Sequence, residues 1–504
     1  MLSLRDIFLF NPDKPLIFTQ LYFWIFYAVV LLIFSLIYKQ RAARNVFLFA
    51  ASLFFYWKTS GFFFFLLIFS TVSDYYLGNL IYRARRRAWK KAGMVASVAI
   101  NLLILSYFKY TYLFVDTLNR LFHLDLQVVN FLAEWSNALT GTHFDISAIL
   151  LPVGISFYTF QTISYTVDIY RGKVEPVKHL LDFGFYVSFF PQLVAGPIVR
   201  ASEFVPQLYK RYHLTREEFG YAIYMILKGL FKKILIGDFI AVNFIDRVFA
   251  NPVGYSGFEN LMALYGYSLQ VYVDFSGYTD IATGVALLLG FRLPRNFNSP
   301  YKATSVGNFW KRWHISLSTW LKDYLYIPLG GNRKGRIRTD VNLMITMLLG
   351  GLWHGASWQF VIWGGLNGVG LVVYKLWRKI SPYENSRHWA VRLWKIFLTF
   401  NFITFTRIWF RSDSMQHARD LINQVLHAFN SSVIPHVIWS YRWVFLVMAL
   451  GYFTHWVSNR WKYGLMKWYM HRSLWLQAVI AAVVVFIIYQ SWSSDLQPFI
   501  YFQF

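Results

Sequence analysis

An all-α polytopic membrane fold is what this sequence predicts, and three observations predict it. Of the 504 residues, 57% are hydrophobic and only 14% charged, against roughly 25% charged in a soluble domain. Apolar runs long enough to cross a bilayer recur from end to end. The Lys and Arg residues, which set a net charge of +25, come in short clusters between those runs, as in cytoplasmic loops. That pattern sets nucleic acid aside and makes the lipid bilayer the expected partner. Some of the cations could also hold anionic head groups or an anionic cofactor. The chain has no cysteine, which excludes disulfides, thiolate metal sites and a cysteine nucleophile.

The elements follow in order. Leu16 to Tyr38 reads as a retained first span, because no small-residue cleavage site follows it. The basic stretch Lys39 to Arg44 is expected in the cytoplasm. Asn45 to Trp57 and Phe62 to Tyr82 then form a hairpin ending at the dense basic cluster Arg83 to Lys91. Met94 to Val115 exits, Asp116 to Asp145 is an outer surface, and Ser147 to Tyr170 re-enters. His179 to Val199 carries Pro191 and Pro197 between basic flanks, which suggests a re-entrant element. Phe219 to Phe249 is interrupted by Lys228, Lys232, Lys233 and Asp238, and Leu261 to Phe291 contains Asp274 and Asp280. Further spans fall near Val391 to Trp409, Trp443 to Val457 and Leu474 to Tyr489. The expectation is about eleven crossings plus re-entrant pieces. They would form one domain over 1–504: a peripheral first span in 1–44, a motif-bearing core in 148–380 and C-terminal helices in 390–504.

The stretch from Tyr301 to Tyr374 organises the chemistry. Val341 to Tyr374 contains no Asp, Glu, Lys or Arg. As one helix it would rise about 50 Å against a hydrocarbon core of roughly 30 Å. A break is therefore expected, most naturally at Gly350-Gly351, which puts His354 at or just past it. An ionisable residue at that depth is costly unless it faces a polar cavity. A core histidine bonded to a neighbouring helix is the plain alternative. Burial favours neutral imidazole, the form a general base needs to take a proton from a hydroxyl.

His314 lies in WKRWHISLSTWLKDY. Read as one helix, Lys311, His314, Ser318 and Lys322 share a face, and Trp313, Leu317, Trp320 and Tyr324 line another. That helix could lie in the interface with an incidental histidine, or place His314 to orient substrate near His354. Asp274 and Asp280, six residues apart, point roughly 120° away from each other on a helix. They are no paired-carboxylate site. Ion pairing to Arg292, Arg295 or Lys228 is their expected use, with substrate positioning the alternative. GGNRKGRIR lacks the Gly-Lys-Ser/Thr ending of a phosphate loop, and no histidine spacing fits a metal site.

Several long runs occur together: LLPVGISFYTFQTISYTVDIYRG, FFPQLVAGPIVR, VYVDFSGYTDIATGVALLLGFRLPRNFNSPY, FWKRWHISLSTWLKDYLYIPLGGNRKG, LLGGLWHGASWQFVIWG and the terminal PFIYFQF. They resemble the membrane-bound O-acyltransferase family, nearest in pattern to its bacterial alginate O-acetyltransferase branch. The resemblance implies tilted helices ringed around a central funnel, with the catalytic histidine of the family falling on His354 and its second functional histidine on His314. It also implies transfer of an acyl group, acetyl in this branch, from a cytoplasmic thioester to a hydroxyl of an exported or cell-surface polysaccharide. The donor would be acetyl-CoA or an acyl carrier protein thioester, with no resident cofactor and no metal. A periplasmic or surface acyltransferase is the implied partner, and the cell inner membrane the implied location. Trp310, Lys311, Arg312, Trp353 and Asp274 are the candidate donor- or substrate-binding residues. A transporter or flippase for a glycan or lipid intermediate, D-alanyl transfer from a carrier protein, and a non-catalytic scaffold remain as rival readings.

Overall fold

The computed structural model describes residues 10–11, 15–140, 145–194 and 196–490. The terminal PFIYFQF and the first nine residues lie outside them. The described residues contain helices and loops and no strand.

The N-terminal third holds α1 (Leu21–Ile37), α2 (Arg41–Ser60), α3 (Phe64–Arg83) and α4 (Arg87–Leu105). Gly61, at φ 58° and ψ −135°, breaks the path between α2 and α3 where a turn was expected. A π-helical turn, Ser106–Tyr110, follows α4 and leads into α5 (Thr111–Phe122), with α6 (Phe131–Thr140) beyond it. The expected outer surface thus carries two exposed helices. Next come α7 (Ile155–Tyr170) and the short α8 (Leu180–Ser188) and α9 (Phe190–Leu193). The kink at Phe189 between those two matches the broken element read from the prolines.

The centre is built by α10 (Ala201–Leu208), α11 (Arg216–Leu230), α12 (Asp246–Ala250) and the 32-residue α13 (Gly257–Leu288). Capping boxes start two of them, Thr215 with Glu218 on α11 and Ser256 with Glu259 on α13, each satisfying two orphan N–H groups. Helices α11 and α13 cross backbone to backbone. A Cβ on Gly229 would come within 2.5 Å of the Gly277 carbonyl oxygen, so only glycine permits this approach. The charges at the crossing are balanced. Asp280 accepts from Lys232 at 2.7 Å and faces Lys228 at 3.2 Å, while Lys233 pairs with Asp238 at 2.7 Å and Asp274 at 2.5 Å. Three lysines thus meet three carboxylates, which offsets the cost of burying them. Of the expected partners only Lys228 is used. Arg292 pairs with Glu218, and Arg295 bonds its own loop at Phe297 and Asn298.

The remaining elements are α14 (Val306–Trp310), α15 (Ile315–Leu321), α16 (Arg336–His354), α17 (Trp358–Ile380), α18 (Trp389–Arg411), α19 (Met415–His427), α20 (Ile434–Ser440), α21 (Arg442–Trp456), α22 (Asn459–Met470) and α23 (Leu474–Gln490). The spans expected near 391–409, 443–457 and 474–489 coincide with α18, α21 and α23. Among the described residues, three helical runs could cross a bilayer by length and apolarity: Arg41–Arg83, Arg87–Phe122 and Trp358–Ile380. Counting each of two bent pairs as one span makes five. The expected first span falls on α1, which is apolar but only 17 residues long, and the other expected spans fall on helices that carry buried charge or belong to the bent pairs. Large apolar side chains point outward on several helices, among them Leu36, Leu103, Val373, Phe453 and Phe486, an apolar surface suited to lipid.

Candidate active site

Helix α16 ends at His354. Gly355 takes an extended backbone (φ −159°, ψ 152°), and a Cβ there would meet the Phe360 ring at 2.0 Å. The break in the charge-free stretch therefore exists but lies after His354, not at Gly350-Gly351. Those two glycines remain helical because Gly351 serves close packing. A Cβ on it would sit 2.3 Å from the Phe360 carbonyl oxygen, and one on Gly364 would sit 2.4 Å from that of Met347. Backbone contact between α16 and α17 thereby sets where the last turn of α16 points.

The final carbonyls of a helix have no intrahelical partner. Here Tyr110 donates its hydroxyl to Leu352 at 2.8 Å, and Lys109 donates Nζ to Trp353 at 2.7 Å and His354 at 3.1 Å. Both come from the π-helical turn, a device often found at functional sites. A cation at a helix C-terminus also suits the helix dipole. The His354 ring is buried, with Trp353, Trp363 and Phe410 edge-on at centroid distances of 5.1, 5.0 and 5.4 Å.

His314 is not on a continuous amphipathic helix. The chain turns at Lys311–His314 between α14 and α15, and His314 is fully buried with a left-handed backbone (φ 42°, ψ 57°). Such a conformation in a non-glycine residue is uncommon and points to a constraint. Its Nδ1 accepts the Leu317 N–H at 3.2 Å, which assigns the ring proton to Nε2. An interfacial helix with an incidental histidine is thereby excluded. The two histidines share a wall: the Trp353 indole is edge-on to His314 at 5.8 Å and to His354 at 5.1 Å.

Two cavities meet at His354. One, of about 60 Å³, is lined by Lys109, Ser156, Phe157, Val194, Trp353 and His354 among others. The second, of about 10 Å³, is lined by Trp313, His354, Trp363, Asn367, Arg407 and Phe410 among others. The smaller holds about one water molecule, so the imidazole stands at a constriction.

The other expected site residues divide. Trp353 walls the larger cavity, and Trp310 leans on Trp363 at 5.7 Å. Lys311 is exposed, and Arg312 bonds Asn308 and the Asn298 carbonyl; neither lines these cavities. Asp274 sits in the ion pair with Lys233 and lines neither cavity. Lys109 and Arg407 are site residues that the sequence reasoning passes over. Their signal is a lone cation inside an aromatic, apolar run, SYFKYTYLF and TFTRIWF.

A family model described as MBOAT, the membrane-bound O-acyltransferase family, matches residues 177–412. The chain is 41% identical over 336 residues to a "probable alginate O-acetylase" of Azotobacter vinelandii, which covers 66% of this chain and 64% of that protein. It is thus matched over slightly less than two thirds of that relative's length. Likeness to a "peptidoglycan O-acetyltransferase" of Helicobacter pylori is 32% over 483 residues, 86% of each chain. A "teichoic acid D-alanyltransferase" of Bacillus subtilis is 31% identical over 270 residues, 50% of this chain and 67% of that one. With its buried histidine at a constriction between two cavities, and with these relatives, the chain belongs to the membrane-bound O-acyltransferase family.

Proposed function

We propose that this protein moves an acyl group, acetyl by preference, from a cytoplasmic thioester donor to a hydroxyl of an exported or cell-surface polysaccharide. Transfer is direct or passes through a periplasmic or surface acyltransferase partner, and the protein is a multi-pass inner-membrane enzyme. The observation that carries this reading is that His354 borders both cavities. A single imidazole can then meet a donor and an acceptor arriving from different sides.

Charge supports the sidedness. The larger cavity borders Leu151 to Ile155 at the start of α7, just after the weakly basic outer segment. Near the smaller cavity lies the loop 295–302. Arg295 and Arg312 both bond Asn298 there, Lys462 donates to Ser299, and Lys302 donates to Val457. None of these four cations forms an ion pair among the described residues, which suits a phosphate-bearing donor such as acetyl-CoA or the thioester of an acyl carrier protein.

In the step itself, His354 takes the proton of the acceptor hydroxyl. The oxygen attacks the thioester carbonyl, the C–S bond breaks, and the thiolate takes the proton back. His314, which lines neither cavity, orients the site through Trp353, the wall it shares with His354. No cysteine is present to carry the acyl group, which favours direct transfer. A carrier-protein donor is the second reading, favoured by the likeness to the teichoic acid enzyme.

The test is to incubate the purified protein in lipid discs with acetyl-labelled CoA, with and without acceptor polysaccharide and candidate partner. Label appearing on either supports the reading. Label that stays on CoA, but moves from an acyl carrier thioester, selects the second reading. Label that leaves neither donor refutes both.

A further inference from the structure

The Arg407 guanidinium is an unusual charge for its position. It projects from α18, is 4% exposed, and lines the smaller cavity with His354. Its face lies over the Trp313 ring at 4.7 Å, and one Nη donates to the Tyr301 hydroxyl at 3.1 Å. Its Nε is buried with no hydrogen-bond partner. Among the described residues it forms no ion pair, whereas Arg411, one turn further along the helix, pairs with Asp246 at 3.3 Å. A buried cation without a counter-charge is costly and normally marks a place where negative charge arrives.

We infer that Arg407 is a catalytic residue that donates to the oxyanion formed on the thioester carbonyl beside His354. The inference rests on the acyl-transfer reading above. As the acceptor oxygen bonds to the carbonyl carbon, its proton passes to His354 and the carbonyl electron pair moves onto oxygen. That oxygen carries a full negative charge until the C=O bond reforms and the C–S bond breaks. Arg407 has the charge and an unused donor for this species, and Trp313 and Tyr301 hold it in place before the charge develops. Preorganised donors of this kind act mainly on the transition state.

The test compares Arg407→Gln and Arg407→Lys with the unaltered full chain in lipid discs, using labelled acetyl-CoA. Transfer to polysaccharide and hydrolysis by water are measured separately. The same oxyanion forms with either nucleophile, so Arg407→Gln should lower kcat for both by about 10²–10³-fold, with neither KM changed. Arg407→Lys keeps the charge and guards against a folding defect. Its melting temperature should match the parent while kcat still falls, because an ammonium cannot present the Nε–H in the same plane. Loss of transfer with hydrolysis intact would overturn the assignment in favour of acceptor binding. A raised donor KM with kcat intact would overturn it in favour of a donor anchor, and parental kinetics would remove any role. If His354→Ala also keeps parental activity, the acyl-transfer mechanism itself fails; if only the Arg407 variants do, this inference alone falls.

Discussion

The Nζ of Lys109 lies 2.7 Å from the carbonyl oxygen of Trp353, so an ammonium from one helix closes the end of another whose last residue is His354. Lys109→Met keeps the apolar stem and strands those carbonyls, at a cost of about 1–3 kcal/mol. The variant should melt earlier in detergent and transfer more slowly, with Lys109→Arg intermediate. Thermal unfolding and initial rates check this, and an unshifted melting temperature in Lys109→Met would argue that the contact is incidental.

Gly364 and Gly365 make a matched pair. A Cβ on Gly364 would reach 2.4 Å from the Met347 carbonyl oxygen, while one on Gly365 finds only Leu348 at 3.5 Å. Gly364→Ala should force α16 and α17 apart, cost about 1–3 kcal/mol and lower transfer by moving His354. Gly365→Ala should be neutral in both assays. Equal behaviour of the two would show that backbone contact does not position the imidazole.

Asp274 shares the single ammonium of Lys233 with a second carboxylate, Asp238. Asp274→Asn leaves Lys233 paired with Asp238 and should destabilise the fold by about 1–3 kcal/mol, with kcat and KM per folded molecule unchanged. Calorimetry and active-fraction kinetics separate the two. A large KM effect at parental stability would restore Asp274 to the substrate site.

His314 has two tasks, capping α15 through Nδ1 and holding a left-handed backbone. Asparagine tolerates that backbone and caps helices well. His314→Asn should therefore fold near normally yet transfer poorly, and His314→Ala should lose stability as well. Parental transfer by the Asn variant would reduce His314 to a cap.

How much of this was legible depends on the residue. His354 stands out in the sequence because it is the lone ionisable group in a charge-free run, and the structure ends a helix on it. The glycine signal puts the break four residues early because Gly351 answers to the neighbouring helix, a contact no local pattern contains. Periodicity reads the His314 segment as one helix, since a single left-handed residue leaves the spacing of apolar residues almost unchanged. Lys109 and Arg407 carry the same signal as His354, one charge in an apolar run. Their relation to His354 comes from pairs far apart in sequence, 244 residues between Lys109 and Trp353. The lysine partners of Asp274 and Asp280 were half legible: the need for counter-charge was evident, but which lysines supply it depends on how α11 crosses α13.

The most direct measurement is the single-turnover rate of acyl transfer by His354→Gln, which keeps a hydrogen-bonding side chain but no base, beside the parent at matched melting temperature. The account predicts a loss of at least about 10²-fold, with donor binding retained. A rate equal to the parent's would contradict it and leave His354 as a packing residue between two incidental cavities.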